Sequence, residues 1–198
     1  MKNYLLPLVI FFAFASLSKA QEPVNRKKML IVYLTRTKNT KVVAEIIHNK
    51  VGGDIVPIEP INPYPADYKK TVAQVAEEDE RGYLPPINLN IDNINKYDTI
   101  FVGFPTWGMQ LPPPIKTFLK QYSFKGKTIV PFNTNAGYGV GTGFRQIYEI
   151  CPESTILEGY TTEGGKERDG ILFIMKNEKA DSVAEEVNIW LNKIKILK

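Results

Sequence analysis

The stretch Met29-Leu30-Ile31-Val32-Tyr33-Leu34-Thr35-Arg36-Thr37-Lys38-Asn39-Thr40 decides the fold. Its first six residues are apolar without interruption and rich in β-branched side chains. That is the pattern of a strand buried on both faces, which parallel sheets require. Its last six carry hydroxyl, amide and basic groups. They lead into Val42, Val43, Ile46 and Ile47, an i, i+3, i+4 helical stripe that stops at Gly52-Gly53. A buried strand passing through a polar loop into a helix is the opening of a strand–helix–strand unit.

The pattern repeats along the chain. Asp54 to Ile58 reads as a second strand, and Thr99 to Phe104 as a third. Thr128 to Phe132 reads as a fourth, and Thr155 to Leu157 starts a fifth. Between them, helical stripes run over residues 67–80, behind the prolines at 112–114, and through Phe144, Ile147, Tyr148 and Cys151. Val183, Val187, Trp190, Leu191 and Ile194 mark a last helix. Right-handed crossovers then place helices on both faces of one doubly wound parallel sheet. Gly164 to Asp169, followed by Gly170 and Ile171 to Met175, is too long for a simple link. It reads as a hairpin against an edge strand, within 160–175.

Composition narrows the chemistry. The chain has 198 residues, 43% hydrophobic and 23% charged, with one His and one Cys. One His rules out a multi-histidine metal site in one chain, and one Cys rules out an internal disulfide or a CxxC pair. Demanding chemistry must come from hydroxyls, carboxylates, backbone groups or a borrowed cofactor. Residues 1–20 form a separate unit: Lys2, an uncharged apolar run from Leu5 to Leu17, then Ser18-Lys19-Ala20. Thirteen residues of helix span about 20 Å, short of a bilayer core. The order fits a secretory signal peptide, with periplasmic or secreted destination and no stable membrane span after cleavage; the alternative is an uncleaved N-terminal anchor. Residues 21–28 are a lead-in, and 29–198 the folded domain. Cleavage removes Lys2 and Lys19 and no acid, so the +4 net charge falls to +2. That balance does not point to nucleic acid.

Ligands of doubly wound sheets bind beyond the carboxyl ends of the strands, at the switch in strand order. The loop Thr35 to Thr40 offers hydroxyls and the free amides of a helix start, a cradle for phosphate. Pro105-Thr106-Trp107-Gly108-Met109 offers an aromatic plane on a loop stiffened by three prolines. Asn133-Thr134-Asn135-Ala136-Gly137-Tyr138-Gly139 exposes backbone groups able to read the edge of a heterocycle. Competing motifs fail. Gly126-Lys127-Thr128 lacks the upstream glycine of a nucleotide P-loop, position 121 being Gln, and precedes a strand. The alternate glycines after strand four lack dinucleotide-fingerprint spacing. Strand one ends in Thr35, without a response regulator's acid cluster. His48 reads as a surface residue, Cys151 as a small buried one, and Tyr64, Tyr68 and Tyr83 as core or partner contacts.

The Thr-x-Thr-x-Asn-Thr opening, Gly-Phe-Pro-Thr-Trp-Gly at 103–108, Pro-Pro-Pro-Ile-Lys-Thr-Phe-Leu at 112–119 and Pro-Phe-Asn-Thr-Asn-Ala-Gly-Tyr-Gly at 131–139 resemble the flavodoxin family. The likeness is to its short-chain bacterial members and extends from about Met29 to the C-terminus. It implies a five-stranded α/β sheet in order 2-1-3-4-5 and an FMN site. Thr35, Thr37, Asn39 and Thr40, with the backbone of Arg36 and Lys38, would hold the phosphate. Pro105, Thr106, Trp107, Gly108 and Met109 would flank one side of the ring. Asn133, Thr134, Asn135, Ala136, Gly137 and Gly139 would lie along its other edge. The implied role is electron transfer to a redox partner protein or small-molecule acceptor, with no catalytic side chain and no metal. A flavin-dependent NAD(P)H quinone or small-molecule reductase is the alternative, and a flavin-free binding module is a third. Lys38 stands where the family often has Gly, and the near-neutral charge departs from the acidic family norm. Weaker negative surroundings raise the expected potential of the fully reduced flavin.

Overall fold

The computed structural model describes residues 28–89 and 91–197. The expected signal segment 1–20 and nearly all of the lead-in lie outside the described residues. In chain order the elements are β1 (Met29–Tyr33), α1 (Asn39–Val51), β2 (Asp54–Pro57), β3 (Glu59–Pro60), α2 (Tyr68–Glu80) and β4 (Ile87–Asn88). Then come β5 (Thr99–Pro105), α3 (Pro113–Gln121), β6 (Thr128–Asn135), α4 (Gly143–Ile150), β7 (Thr155–Ile156), β8 (Tyr160–Glu163) and α5 (Glu178–Lys193).

The main sheet runs β2-β1-β5-β6-β7, every pairing parallel. This is the expected 2-1-3-4-5 order. The switch falls between β1 and β5, where successive crossovers leave in opposite directions. β8 pairs with the second half of β6, Phe132 opposite Tyr160 through Asn135 opposite Glu163. β7 pairs with its first half, Thr128 and Ile129. The fifth strand is therefore one strand interrupted at residues 157–159. The expected edge hairpin is corrected accordingly. Residues 160–163 extend the fifth strand in parallel, and the chain beyond turns back through a single antiparallel bridge, Lys166 with Ile171. A parallel strand continuing along β6 gains ladder hydrogen bonds that an edge hairpin would have to find elsewhere.

Side chains of the buried strands alternate between two cores. Leu30, Val32, Ile100, Val102, Phe104 and Ile129 point to one face, under Ile115 and Phe118 of α3 and Ile147 of α4. Ile31, Tyr33, Phe101, Val130 and Phe132 point to the other, under Val43 and Ile47 of α1 and Val183, Val187 and Trp190 of α5. Packing across β5 and β6 is tight enough that a Cβ on Gly103 would lie 2.1 Å from the Phe132 ring. Bulk at that position would displace either the strand or the ring.

α2 behaves differently from the other helices. Asp67 caps it, its carboxylate accepting from Lys70 N–H at 2.8 Å. No α2 residue belongs to either core among the described residues. Ile58, Ile87, Leu89 and Ile91, on and beside the β3–β4 ribbon, pack against that part of the first core instead. The apolar marks read from the sequence divide accordingly: Val75 is buried, while Tyr68 and Val72 are 37% and 48% exposed. His48 is half-buried rather than free on the surface, its Nε2 lying 3.1 Å from Gly53 O. Cys151 is buried, as expected. No helix among the described residues is long and apolar enough to cross a membrane.

Candidate functional site

The carboxyl ends of β1, β5 and β6 open onto one cleft of about 260 Å³. Its lining includes Arg36, Thr37 and Asn39 after β1, Pro105 through Met109 after β5, and Thr134, Asn135, Ala136 and Gly139 after β6. Twelve of the seventeen residues singled out by sequence thus share one cavity.

The loop after β1 begins the site. Lys38 adopts φ 67°, the left-handed region, and is exposed. The first helical hydrogen bond of α1 runs from Val42 N–H to Lys38 O (3.1 Å). The amides before Val42 have no partner inside the helix and carry the positive end of its dipole. Thr35 Oγ1 is buried with no hydrogen-bond partner. A buried hydroxyl left unpaired costs about 1–3 kcal/mol, which an acceptor arriving from outside would recover.

Several side chains of this loop serve other ends. Arg36 Nε donates to both carboxylate oxygens of Glu167 (2.7 and 2.9 Å). Its Nη1 and Nη2 donate to Pro65 O and Ala66 O, both at 2.8 Å. The guanidinium ties three loops together, leaving backbone as the anion-binding part of this residue. Asn39 is 3% exposed. Its Nδ2 donates to Thr37 Oγ1 (2.8 Å) and Leu172 O (2.7 Å), and its Oδ1 accepts from Ile174 N–H and Met175 N–H. Asn39 clamps the 171–175 segment onto the start of α1. Its side chain is not free for phosphate, a correction to the role expected for it. Thr40 is likewise turned inward, its hydroxyl 2.8 Å from that of Thr134.

The loop after β6 is organised by buried amides. Asn133 is fully buried and donates to Phe104 O (2.9 Å). Asn135 Oδ1 accepts from Gly137 N–H (2.8 Å) and Gly139 N–H (3.0 Å). Asn133 and Gly137, expected along the ligand edge, do not line the cleft. The reason is satisfaction of buried polar groups: these amides complete the loop's own network. Thr106 N–H donates to Thr134 O (2.9 Å) and Thr106 Oγ1 to Gly139 O (2.9 Å), joining this loop to the one after β5. The two loops also meet where a Cβ on Gly141 would lie 2.1 Å from Met109 O. Met109 itself has φ 60°.

Trp107 stands half-buried on the cleft wall, its ring edge-to-face with Tyr64 (centroids 5.0 Å, 76°). Tyr64 donates to Glu78 Oε2 at 2.5 Å. Burial and that carboxylate push its phenol well above the ordinary tyrosine range, so it stays protonated.

Sequence reasoning did not select Tyr68, Tyr138 or the segment Gly164 to Asp169, all of which line the cleft. Tyr138 is 61% exposed, and Arg168 donates to its hydroxyl (2.8 Å) with the guanidinium 5.7 Å from the ring. The available signal was an aromatic residue set among glycines after a buried strand. For 164–169 it was a Gly-Gly pair heading a charged run of unassigned use. The lining carries three cations, Arg36, Lys166 and Arg168, and two carboxylates, Glu167 and Asp169. No group of three or more potential metal ligands occurs among the described residues.

An anion-ready helix start, a tryptophan wall and an exposed tyrosine are gathered at the switch point of a doubly wound sheet, where such folds place their ligand sites. A family model described as flavodoxin matches residues 28–177, and the chain belongs to the flavodoxin family. It is 24% identical over 151 residues to a flavodoxin of Nostoc, covering 74% of each chain. A crystal structure assigned as a flavoprotein from Bacteroides eggerthii aligns with TM-score 0.69 and 28% identity, over 86% of this chain and 99% of that one. A flavoprotein from Lactobacillus acidophilus, solved in complex with FMN, aligns with TM-score 0.61 and 26% identity, over 73% and 98%. The fold is that of a flavodoxin-like flavoprotein.

Proposed function

We propose that this protein binds FMN noncovalently in the cleft and carries electrons to a redox partner protein or small-molecule acceptor. The observation that carries the reading is the convergence of the α1 start, Trp107 and Tyr138 on one cavity. The residues present fit the group. The amides before Val42 suit a phosphate, with the unpaired Thr35 hydroxyl buried beneath the loop rather than on the cleft lining, and Trp107 and Tyr138 suit the two sides of a ring. FMN supplies reversible one- and two-electron chemistry when bound.

The chain's own part is positioning and electrostatics. Thr40, Thr134 and Asn135 fix the spacing of the phosphate and ring loops. The prolines at 112–114 stiffen the exit from the Trp107 loop. Lys166 and Arg168 place positive charge at the cleft wall, which favours the more negative state of a bound group. Residues 1–20, read as a signal peptide, extend the proposal to export into a periplasmic or extracellular space. The alternative of a quinone or small-molecule reductase is favoured by one observation, a second cavity that shares Trp107 with the first.

Titration of the purified chain with FMN, followed by flavin fluorescence and visible absorbance, tests the reading. Saturable one-to-one quenching is expected, with riboflavin bound at least about tenfold more weakly for want of the phosphate. No quenching by the full chain, or equal affinity for riboflavin, overturns it.

A further inference from the structure

The larger cavity of this face lies between α2 and the Trp107 loop, with a volume of about 460 Å³. α2 presents one complete helical face to it, residues 68, 71, 72, 75, 76, 79 and 80. In the other helices of this domain the corresponding stripe is spent on the sheet. Here it belongs to neither core and borders open space instead. Arg36, Tyr68, Thr106, Trp107, Gly108 and Glu167 line both this cavity and the cleft, so the two volumes adjoin.

The walls differ from end to end. Tyr68, Val72, Val75, Ala76 and Trp107 make an apolar slot. Asp79 and Glu80 close the opposite end of the α2 face. Asp79 is paired through Oδ1 with Lys116 Nζ (2.7 Å), and its Oδ2 lies 3.8 Å from where a Cβ on Gly108 would stand. Gln110 Oε1 is also taken up by Lys116, at 3.2 Å. The acidic end therefore presents hydrogen-bond acceptors. Among the described residues Arg36 is the only cation in the lining, and its three donor nitrogens are already bonded to Glu167, Pro65 O and Ala66 O.

We infer that this cavity is a second ligand site, for a small, flat, uncharged aromatic molecule carrying a hydroxyl donor, of the phenol or hydroquinone class. The apolar slot takes the ring, and the carboxylates take the donor. A nicotinamide dinucleotide is disfavoured, because its pyrophosphate would face Asp79 and Glu80 with no free cation to meet it. Binding here stands apart from the FMN reading, because the slot and its acceptors do not depend on it.

The experiment is calorimetric titration of the full chain with beta-naphthol, its methyl ether and NADH, with and without saturating FMN. Beta-naphthol is expected to bind one-to-one under both conditions, its methyl ether about tenfold more weakly, and NADH not to compete. Ala76→Trp fills the slot from its exposed rim, and Val72→Trp does so one turn earlier. Either is expected to abolish beta-naphthol binding while leaving the FMN titration unchanged. Absence of beta-naphthol binding, equal binding of the ether, competition by NADH, persistence in both variants, or displacement by FMN overturns the inference. Failure of FMN to bind, with beta-naphthol still held and still sensitive to Ala76→Trp, sinks the proposed function alone.

Discussion

Thr40, in the first turn of α1, and Thr134, near the end of β6, are 94 residues apart in sequence and share a buried hydrogen bond of 2.8 Å. Thr40 is 1% exposed and Thr134 3%. The bond fixes the start of α1 against the end of β6, the two walls proposed to hold phosphate and ring. A single Thr134→Val change strands the Thr40 hydroxyl in the interior, and should destabilise the fold by about 1–3 kcal/mol. The double change, Thr40→Val with Thr134→Val, removes both partners and should lie closer to the parent than the sum of the singles. Urea denaturation of the four proteins checks this. Strict additivity would falsify the pairing.

Asn39 is the side chain whose role the structure changed most. Its hydrogen bonds to Thr37, Leu172, Ile174 and Met175 make it a clamp on the 171–175 segment. Asn39→Ala should cost about 2–4 kcal/mol, since several part-buried partners and the buried Met175 N–H lose their bonds together. Asn39→Asp keeps the acceptor for Ile174 and Met175 but sets a carboxylate oxygen against Leu172 O. It should therefore also destabilise, and proteolysis should begin between residues 164 and 175 in both variants. Wild-type resistance to cleavage there in Asn39→Asp would count against the clamp.

The contrast between Asn39 and Met29–Leu34 shows what sequence can carry. A run of apolar β-branched residues has one stable destination, the interior of a parallel sheet, so β1, β5 and β6 were legible. The position of the cleft followed from the order of the strands. An amide side chain has several destinations. Whether Asn39, Asn133 or Asn135 faces a ligand or satisfies the backbone depends on where remote segments pass, and nothing local encodes that. The same holds for α2. Its stripe of Val72, Val75 and Ala76 predicts an apolar neighbour, and the ribbon around Ile87 had already taken the place on the sheet. The fifth strand divided at 157–159 because its pairing follows β6, a long-range register invisible in a short window.

Lys38 occupies a left-handed conformation, φ 67° and ψ −7°, with no side-chain cap on α1. A side chain bearing a Cβ is strained there, by about 1–3 kcal/mol. Lys38→Gly relieves the strain but enlarges the entropy of the unfolded chain, an opposing effect of about 0.5–1 kcal/mol. The net expectation is a protein about 1 kcal/mol more stable. Lys38→Ala keeps the strain and removes only the charge. If Lys38 assists phosphate, both variants should show a shallower salt dependence of FMN affinity, while only the glycine variant gains stability. Equal stability of the two variants would refute the strain argument.

Cys151 supplies a pH test of the packing under α4. It is 6% exposed, and burial pushes its thiol up to about 11 from an ordinary 9.0. The neutral thiol is the form the fold prefers. Between these two values the unfolded chain has lost a proton that the native state retains, so unfolding is favoured as pH rises. The stabilisation is complete below about pH 9 and is lost progressively as pH climbs toward 11, at most about 2.7 kcal/mol for two units. Tyrosines titrate over part of the same range. Tyr33, Tyr64, Tyr97 and Tyr160 all have raised values, so the parent curve alone does not isolate the thiol. Cys151→Ser does isolate it, because serine does not titrate there. The serine variant should start less stable, since a hydroxyl replaces a buried thiol, and should converge on the parent as pH approaches 11. A constant gap between the two proteins from pH 8 to 11 would mean that the thiol ionises in the native state as readily as in the unfolded chain, and that the seal under α4 is open to water.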